Sequence, residues 1–65
     1  MSVRNILKTR IYEIRLLGPG QPALLFAASK MTDDEAAEHA RTLLARHKDR
    51  DGAEVWRGRK LVRQV

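Results

Sequence analysis

One short segment of the sequence has the marks of an α-helix, and its position constrains the fold more than any other feature. Thr32 followed by Glu35 forms a capping box, the arrangement that satisfies free backbone amides where a helix begins. The positions that recur at helical spacing are Ala36, Ala40, Leu43, Leu44 and His47. Acidic residues fill the first turn and basic residues the last, which suits the helix dipole. We predict one helix that starts at Thr32 and is ended by residues 49–52.

Two apolar runs flank a loop of glycine and proline before this helix. Residues 10–17 alternate between apolar and polar positions, as a half-buried strand does. The side that we expect to face the core carries Tyr12, Ile14 and Leu16. The loop 18–22 closes a hairpin, and residues 23–29 form the returning strand. A five-residue loop places Phe26 beside Ile14, whereas a four-residue loop turns Phe26 to the opposite face. We expect Phe26 in the core.

A second hairpin is predicted after the helix. Residues 53–57 and 60–65 read as strands, joined by a two-residue turn at Gly58-Arg59. This turn predicts four cross-strand pairs: Arg57 with Lys60, Trp56 with Leu61, Val55 with Val62, and Glu54 with Arg63. The two valines then share one face of the sheet, and Trp56 and Leu61 share the other. A single long final strand is the alternative.

These elements predict an α+β fold, an antiparallel sheet of three to four strands with one helix on one face, in the order ββαββ. Residues 9–65 form one small domain in this interpretation, and residues 1–8 are a flexible basic arm. The pattern leaves the order of the strands within the sheet open. A chain of 65 residues can hold one core at most, and domains of this size often need a partner subunit.

The location of the protein is constrained by what the sequence lacks. There is no cysteine, so the disulfide framework of a very small secreted domain is missing, and we expect a cytoplasmic protein. Charged residues interrupt the N-terminal stretch, so it has no apolar segment of the kind that signal peptides or membrane spans contain. We therefore expect no membrane partner.

The formal net charge of +5 favours polyanionic partners. Basic residues concentrate toward both ends of the sequence, and they would form one patch if the two end strands were neighbours. A nucleic-acid-binding role would have Trp56 stack on an unpaired base while the phosphates meet Arg15, Arg57, Arg59, Lys60 and Arg63. However, the sequence has neither an aromatic-rich RNA-recognition strand nor a helix-turn-helix pair.

The face of the sheet that the helix leaves uncovered is the most distinctive candidate surface. The predicted hairpin places Trp56 and Leu61 there, and Ile11 and Leu17 join them, with Leu25 if the first hairpin allows it. An apolar patch rimmed by charged side chains, here Arg15 and Arg63, is typical of a protein interface. The alternative is that Trp56 is simply the largest side chain of the core, because a slip of one residue would reverse its face.

No pattern in the sequence indicates catalysis, a cofactor, a metal site or a small-molecule substrate. Glu35 and His39 lie one helical turn apart and His47 two turns further on, which is the spacing of ordinary exposed helix contacts. Metal-binding, phosphate-loop and nucleophile-elbow motifs are missing. We expect a protein that is not an enzyme.

The run Glu54-Val55-Trp56-Arg57-Gly58-Arg59-Lys60-Leu61-Val62, together with the helix start at residues 33–36, resembles the ending of a group of short bacterial proteins of unknown function. The resemblance implies a complete stand-alone protein with an N-terminal hairpin, and it carries no functional residue with it. From the apolar patch on the uncovered sheet face, we predict a non-enzymatic protein-interaction module that self-associates through that face. The alternative is a nucleic-acid-binding accessory protein that uses its basic strands.

Overall fold

The computed structural model describes residues 9–65, in which four antiparallel strands form one sheet and a single helix packs on it. The elements in chain order are β1 (Arg10–Leu17), β2 (Leu24–Lys30), α1 (Asp33–Arg46), β3 (Gly52–Arg57) and β4 (Lys60–Gln64). The predicted α+β class with an antiparallel sheet and one helix is confirmed. The expected arm at residues 1–8 lies outside the described residues.

The order of the strands in the sheet differs from their order in the chain. It runs β2-β1-β3-β4, so β1 and β3 form the centre and β2 and β4 the edges. The two end strands of the chain, β1 and β4, are separated by β3. β4 is therefore not a neighbour of β1, and the basic residues Arg10, Arg57 and Arg63 of β1, β3 and β4 come together around the Asp33 carboxylate rather than as a free basic patch.

The first hairpin has the register that a five-residue loop predicts. Ile14 lies opposite Phe26, and Leu16 lies opposite Leu24. Phe26 is half-buried and packs against the core from the side of the helix, so its predicted facing is confirmed.

The second hairpin also forms, and Gly58 begins its two-residue turn with a φ of 63°, which glycine adopts readily. Arg57 pairs with Lys60 and Trp56 with Leu61, as predicted, and the single long strand is excluded. The two further predicted pairs are wrong. An irregularity makes Val62 an extra residue, so that Arg63 lies opposite Val55 and Gln64 opposite Glu54.

The helix begins as the capping box predicts. The backbone N–H of Glu35 donates to Thr32 Oγ1 at 3.1 Å, and the Glu35 carboxylate accepts from the N–H of Met31 at 3.0 Å. The helix ends at Arg46, earlier than the predicted stop, because His47 leaves the helical conformation and caps it with a backbone N–H bonded to the Leu44 carbonyl. His47 is half-buried and meets the Phe26 ring edge-on, with the ring centroids 5.6 Å apart.

The core lies between α1 and one face of the sheet. Its buried residues are Tyr12, Ile14, Leu16, Ala28, Ala36, Ala40, Ala53 and Val55. The helix contributes only alanines to this buried set, so its backbone comes close to the sheet. The opposite face of the sheet has no helix over it in residues 9–65, and that face is the candidate site.

Candidate interaction surface on the uncovered sheet face

Alternate residues of all four strands project away from α1 and form what we call the uncovered face. These residues are Ile11, Glu13, Arg15, Leu17, Leu25, Ala27, Ser29, Glu54, Trp56, Leu61 and Gln64. Three large apolar side chains on it are exposed: Ile11 to 68%, Leu25 to 60% and Leu61 to 40%. Side chains of types that usually lie in a core are thus exposed to solvent, on the face that also carries the single tryptophan of the sequence.

Trp56 lies on the uncovered face, where the turn at Gly58 predicts it, and not in the core beneath the helix. It is half-buried because the guanidinium of Arg15 stacks over its ring, 4.4 Å from the centroid. A cation held in this way over an indole is stabilised by the negative face of the ring. One side of the ring is therefore already covered by a residue of the same sheet.

The polar groups around Trp56 are paired with one another. Arg15 donates to Glu13 Oε1 from Nε at 3.0 Å and from Nη2 at 2.9 Å. The indole Nε1 of Trp56 donates to Glu54 Oε1 at 3.0 Å. At the centre of the uncovered face, the Arg15 guanidinium thus has a carboxylate partner and the Trp56 indole has an acceptor, with apolar side chains on both sides.

A shallow depression of about 390 Å³ lies between the apolar side chains at the β2 end of this face. Ile11 and Leu25 form its sides, Ala27 leaves room between them, and Glu13 and Gly58 complete the lining together with parts of Tyr12 and Phe26. Apolar walls and a small residue in the middle make the depression suited to an apolar side chain.

The predicted basic site residues are not collected on this face. The bulge at Val62 turns Arg63 toward the helix, so the expectation that Arg63 rims the apolar patch is wrong. Arg63 Nη2 donates to Asp34 Oδ1 at 3.0 Å, and Arg57 Nη1 donates to Asp33 Oδ1 at 3.2 Å. Arg59 and Lys60 are exposed at the tip of the second hairpin. Of the predicted binding residues, the uncovered face brings together Arg15, Trp56 and Leu61.

Asp33, the first residue of α1, joins the helix to three strands. Besides Arg57, its carboxylate accepts a hydrogen bond from the Tyr12 hydroxyl at 2.6 Å and lies 4.0 Å from Arg63 Nη1. The Tyr12 hydrogen bond is the main reason that the pKa of Asp33 is lowered from 3.8; partial burial opposes the shift, and the positive charges of Arg57, Arg63 and Arg10 add to it. These arginines therefore stabilise the fold.

Because the pKa of Asp33 is lowered by folding, its contribution to stability is complete above pH 3.8 and is lost as the pH falls through the folded-state pKa. Tyr12→Phe should move this pKa back toward 3.8, so that acid unfolding begins at a higher pH. NMR titration of the Asp33 carboxyl carbon measures the shift. Thr42→Val, which removes an exposed hydroxyl bonded to the Glu38 carbonyl, should leave the Asp33 titration unchanged. An unaltered Asp33 pKa in the Tyr12→Phe protein would contradict the assigned cause.

The contacts of Arg15 and Asp33 were not predicted from the sequence, because both depend on strands that are distant in the chain. Arg15 reaches Trp56 since Glu13 pairs with Trp56 across β1 and β3. Period-two alternation assigns Arg15 and Trp56 to one face, but it does not say that their strands are neighbours. The only available signal was the opposite charge of the helix start and the strand arginines.

Glu35 and His47 make contacts that stabilise the fold. Glu35 caps the helix at Met31, and His47 packs on Phe26. His39 lies with Glu35, Glu38, Lys30 and Thr42 around an open depression of about 450 Å³ on the outer side of the helix. Within residues 9–65, no three His, Cys, Asp or Glu side chains are grouped so that they could hold a metal ion.

No helix in the described part of the chain is long and apolar enough to cross a membrane. Comparisons of the chain with protein families, with curated proteins and with solved structures found no match. The resemblance to the short bacterial proteins therefore stays a prediction.

Proposed function

We propose that this protein is a non-catalytic interaction module that binds a second copy of itself through the uncovered face. The observation that carries this proposal is the apolar patch of Ile11, Leu25 and Leu61, exposed to 68%, 60% and 40% around a half-buried tryptophan. Removing apolar surface of this kind from water is the main favourable term in protein association. The lack of cysteine further favours a cytoplasmic location.

The pairing of polar groups on the face lowers the cost of covering it. A buried charge or donor without a partner is strongly unfavourable, but Arg15 and Glu13 are paired with each other, and the Trp56 indole N–H is paired with Glu54. A second protein need not supply a matching charge for Arg15 or Glu13.

The shape of the face supports a second copy as the partner. In a two-fold contact, each copy must offer both the projecting groups and the space that receives them. Ile11 and Leu25 project beside a depression that contains Ala27, so the same surface has both properties. A side chain such as Leu25 can then enter the depression of the second copy.

Nucleic-acid binding is the competing proposal, and the contacts favour it less. Arg57 and Arg63 would have to give up Asp33 and Asp34 to bind phosphates. A base could stack on the Arg15 side of Trp56 only by displacing the guanidinium. Of the predicted basic residues, Arg59 and Lys60 make the fewest contacts with other side chains of residues 9–65. Both are exposed and lie at the tip of a hairpin.

Sedimentation equilibrium over a concentration series tests the proposal. Ile11→Asp should weaken self-association by a factor on the order of a hundred or more, because each dimer loses a buried apolar side chain twice. Met31→Asp is the matched control, since Met31 is 47% exposed but lies outside the four strands, beside the start of α1. Trp56→Ala should also weaken association, since it removes the ring together with the support of Arg15.

A wild-type protein that remains monomeric at millimolar concentration would overturn self-association, as would equal effects of Ile11→Asp and Met31→Asp. The nucleic-acid proposal has its own test. Salt-sensitive retention on mixed-sequence RNA that is abolished by Arg59→Glu with Lys60→Glu would favour it instead.

A further inference from the structure

The outer edge of β2 is a second surface, distinct from the uncovered face. Within residues 9–65, β2 and β4 are the edge strands of the sheet. β4 has a bulge at Val62 and carries Lys60 and Arg63, the features by which proteins prevent unwanted pairing at an edge. β2 reads Leu-Leu-Phe-Ala-Ala-Ser-Lys, with its only charge at the last residue, Lys30. Of these two edges, β2 is the one suited to pair with another strand.

The hydrogen bonds of the sheet show which residues of β2 direct their backbone groups away from β1. Ala53 and Val65 exchange two backbone hydrogen bonds, of 3.2 and 2.8 Å, so the odd-numbered residues of β3 bond toward β4. In an antiparallel sheet, successive residues of a strand direct their backbone N–H and C=O groups to opposite neighbours. The even-numbered residues of β3 therefore bond to β1, and their partners are the odd-numbered residues of β1. The even-numbered residues of β1 are left to bond β2.

It follows that the even-numbered residues of β2 bond to β1 and the odd-numbered ones point outward. Leu25, Ala27 and Ser29 therefore direct their N–H and C=O groups to the outer edge. This is a row of three residues with paired donors and acceptors, spaced as another antiparallel strand requires.

We propose that β2 pairs in antiparallel fashion with β2 of a second copy, about a two-fold axis at Ala27. Ala27 then pairs with Ala27, and Leu25 with Ser29 of the second copy. Each of the three outward residues finds a hydrogen-bonding partner, which gives about six backbone hydrogen bonds in the symmetric contact. The sheets of the two copies become one continuous sheet.

The side chains fit this register. On the helix side, Phe26 lies opposite Ala28, a large residue against a small one, and Leu24 lies opposite the aliphatic part of Lys30. No two like charges oppose one another, and alanine at the axis allows close approach. Because the axis is perpendicular to the sheet, both uncovered faces lie on the same side. The edge contact does not depend on the face contact. Two copies joined at the β2 edge cannot cover each other's uncovered faces, so both contacts form together only in an assembly of more than two copies.

Hydrogen exchange measured by NMR on the full chain, at low and high protein concentration, tests the proposal. The amides of Leu25, Ala27 and Ser29 should exchange at least roughly tenfold more slowly at high concentration, because they become hydrogen-bonded. Dimers in which these amides still exchange rapidly would overturn the edge contact and leave the face contact standing. Protection that does not change with concentration would also overturn it. If these amides stay protected in dimers of the Ile11→Asp protein, the β2 edges pair without any contact between the uncovered faces.

A proline variant provides the second test. Ala27→Pro removes an N–H that points outward, so the bonds to β1 are kept while pairing at the edge is blocked. We expect the dissociation constant of the dimer to rise by roughly tenfold or more. Gln64→Pro is the matched control, since Gln64 occupies the equivalent outward position on the β4 edge and should leave the dimer intact. Circular dichroism checks that both variants are folded. Equal dimerisation of the two proline variants would overturn the proposal.

Discussion

Replacing Ile14 with alanine should lower the free energy of unfolding by about 2–5 kcal/mol, whereas the same change at Ile11 should cost less than about 0.5 kcal/mol. The two isoleucines lie on one strand, three residues apart, and differ in the face to which they project. Ile14 is fully buried beneath α1, between Phe26 and Val55 of the neighbouring strands. Its loss leaves a cavity that the alanines of the helix cannot fill.

Ile11 is 68% exposed, so its replacement removes little buried surface from the monomer. Urea unfolding at low protein concentration, where self-association does not contribute, measures both values. Since a small domain has a total stability of about 5–15 kcal/mol, the Ile14→Ala protein should unfold at a much lower urea concentration. Equal losses of stability at the two positions would contradict a structure in which α1 covers only the face of β1 that carries Ile14.

Alternation along β1 was sufficient to predict this difference from the sequence. Tyr12, Ile14 and Leu16 are all fully buried, as their period of two predicts. The helix start was predicted for a similarly local reason, since Thr32 and Glu35 act within four residues of each other. Where the interactions that determine a feature are close in sequence, the pattern of residues contains them.

The order of the strands could not be predicted in this way. Pairing of β1 with β3 joins residues such as Ile14 and Val55, and nothing in either strand identifies the other. The bulge at Val62 was missed for a related reason. Arg63 gains contact with Asp33 and Asp34 at the start of the helix when it turns to that side, and this benefit comes from tertiary structure rather than from the strand itself.

The candidate site was predicted in its position but not in its internal contacts. The glycine turn placed Trp56 and Leu61 on the uncovered face, and both are there. The stacking of Arg15 on Trp56 depends on the adjacency of β1 and β3. The tertiary structure also shows that part of the positive charge is already paired. Arg57 and Arg63 belong to the contacts of Asp33, so the net charge of the chain overstates what is free to bind an anion.

Arg50 was not predicted to be important from the sequence, yet it connects the first hairpin to the loop that follows α1. Its side chain is only 7% exposed and lies between the loop after β1 and the loop after α1. Its Nη1 donates to the carbonyl oxygens of Leu16, at 3.2 Å, and Pro22, at 2.6 Å. Gly18 lies against the same segment, where an added Cβ would be 2.9 Å from the Asp49 carbonyl oxygen. These contacts hold the first hairpin beside the start of β3.

Arg50→Met should therefore lower the free energy of unfolding by about 2–4 kcal/mol, because it leaves two carbonyl groups without their charged donor while keeping most of the apolar stem. Arg46→Met is the control: Arg46 is exposed in the last turn of α1, and its replacement should change stability by less than about 0.5 kcal/mol. Arg50→Lys should give an intermediate loss, since one ammonium group lacks the guanidinium's planar set of donors. Urea unfolding of the three variants measures the series. If the Arg50→Met and Arg46→Met proteins were equally stable, the link between the two loops would not contribute, and the adjacency of β1 and β3 would rest on the core alone.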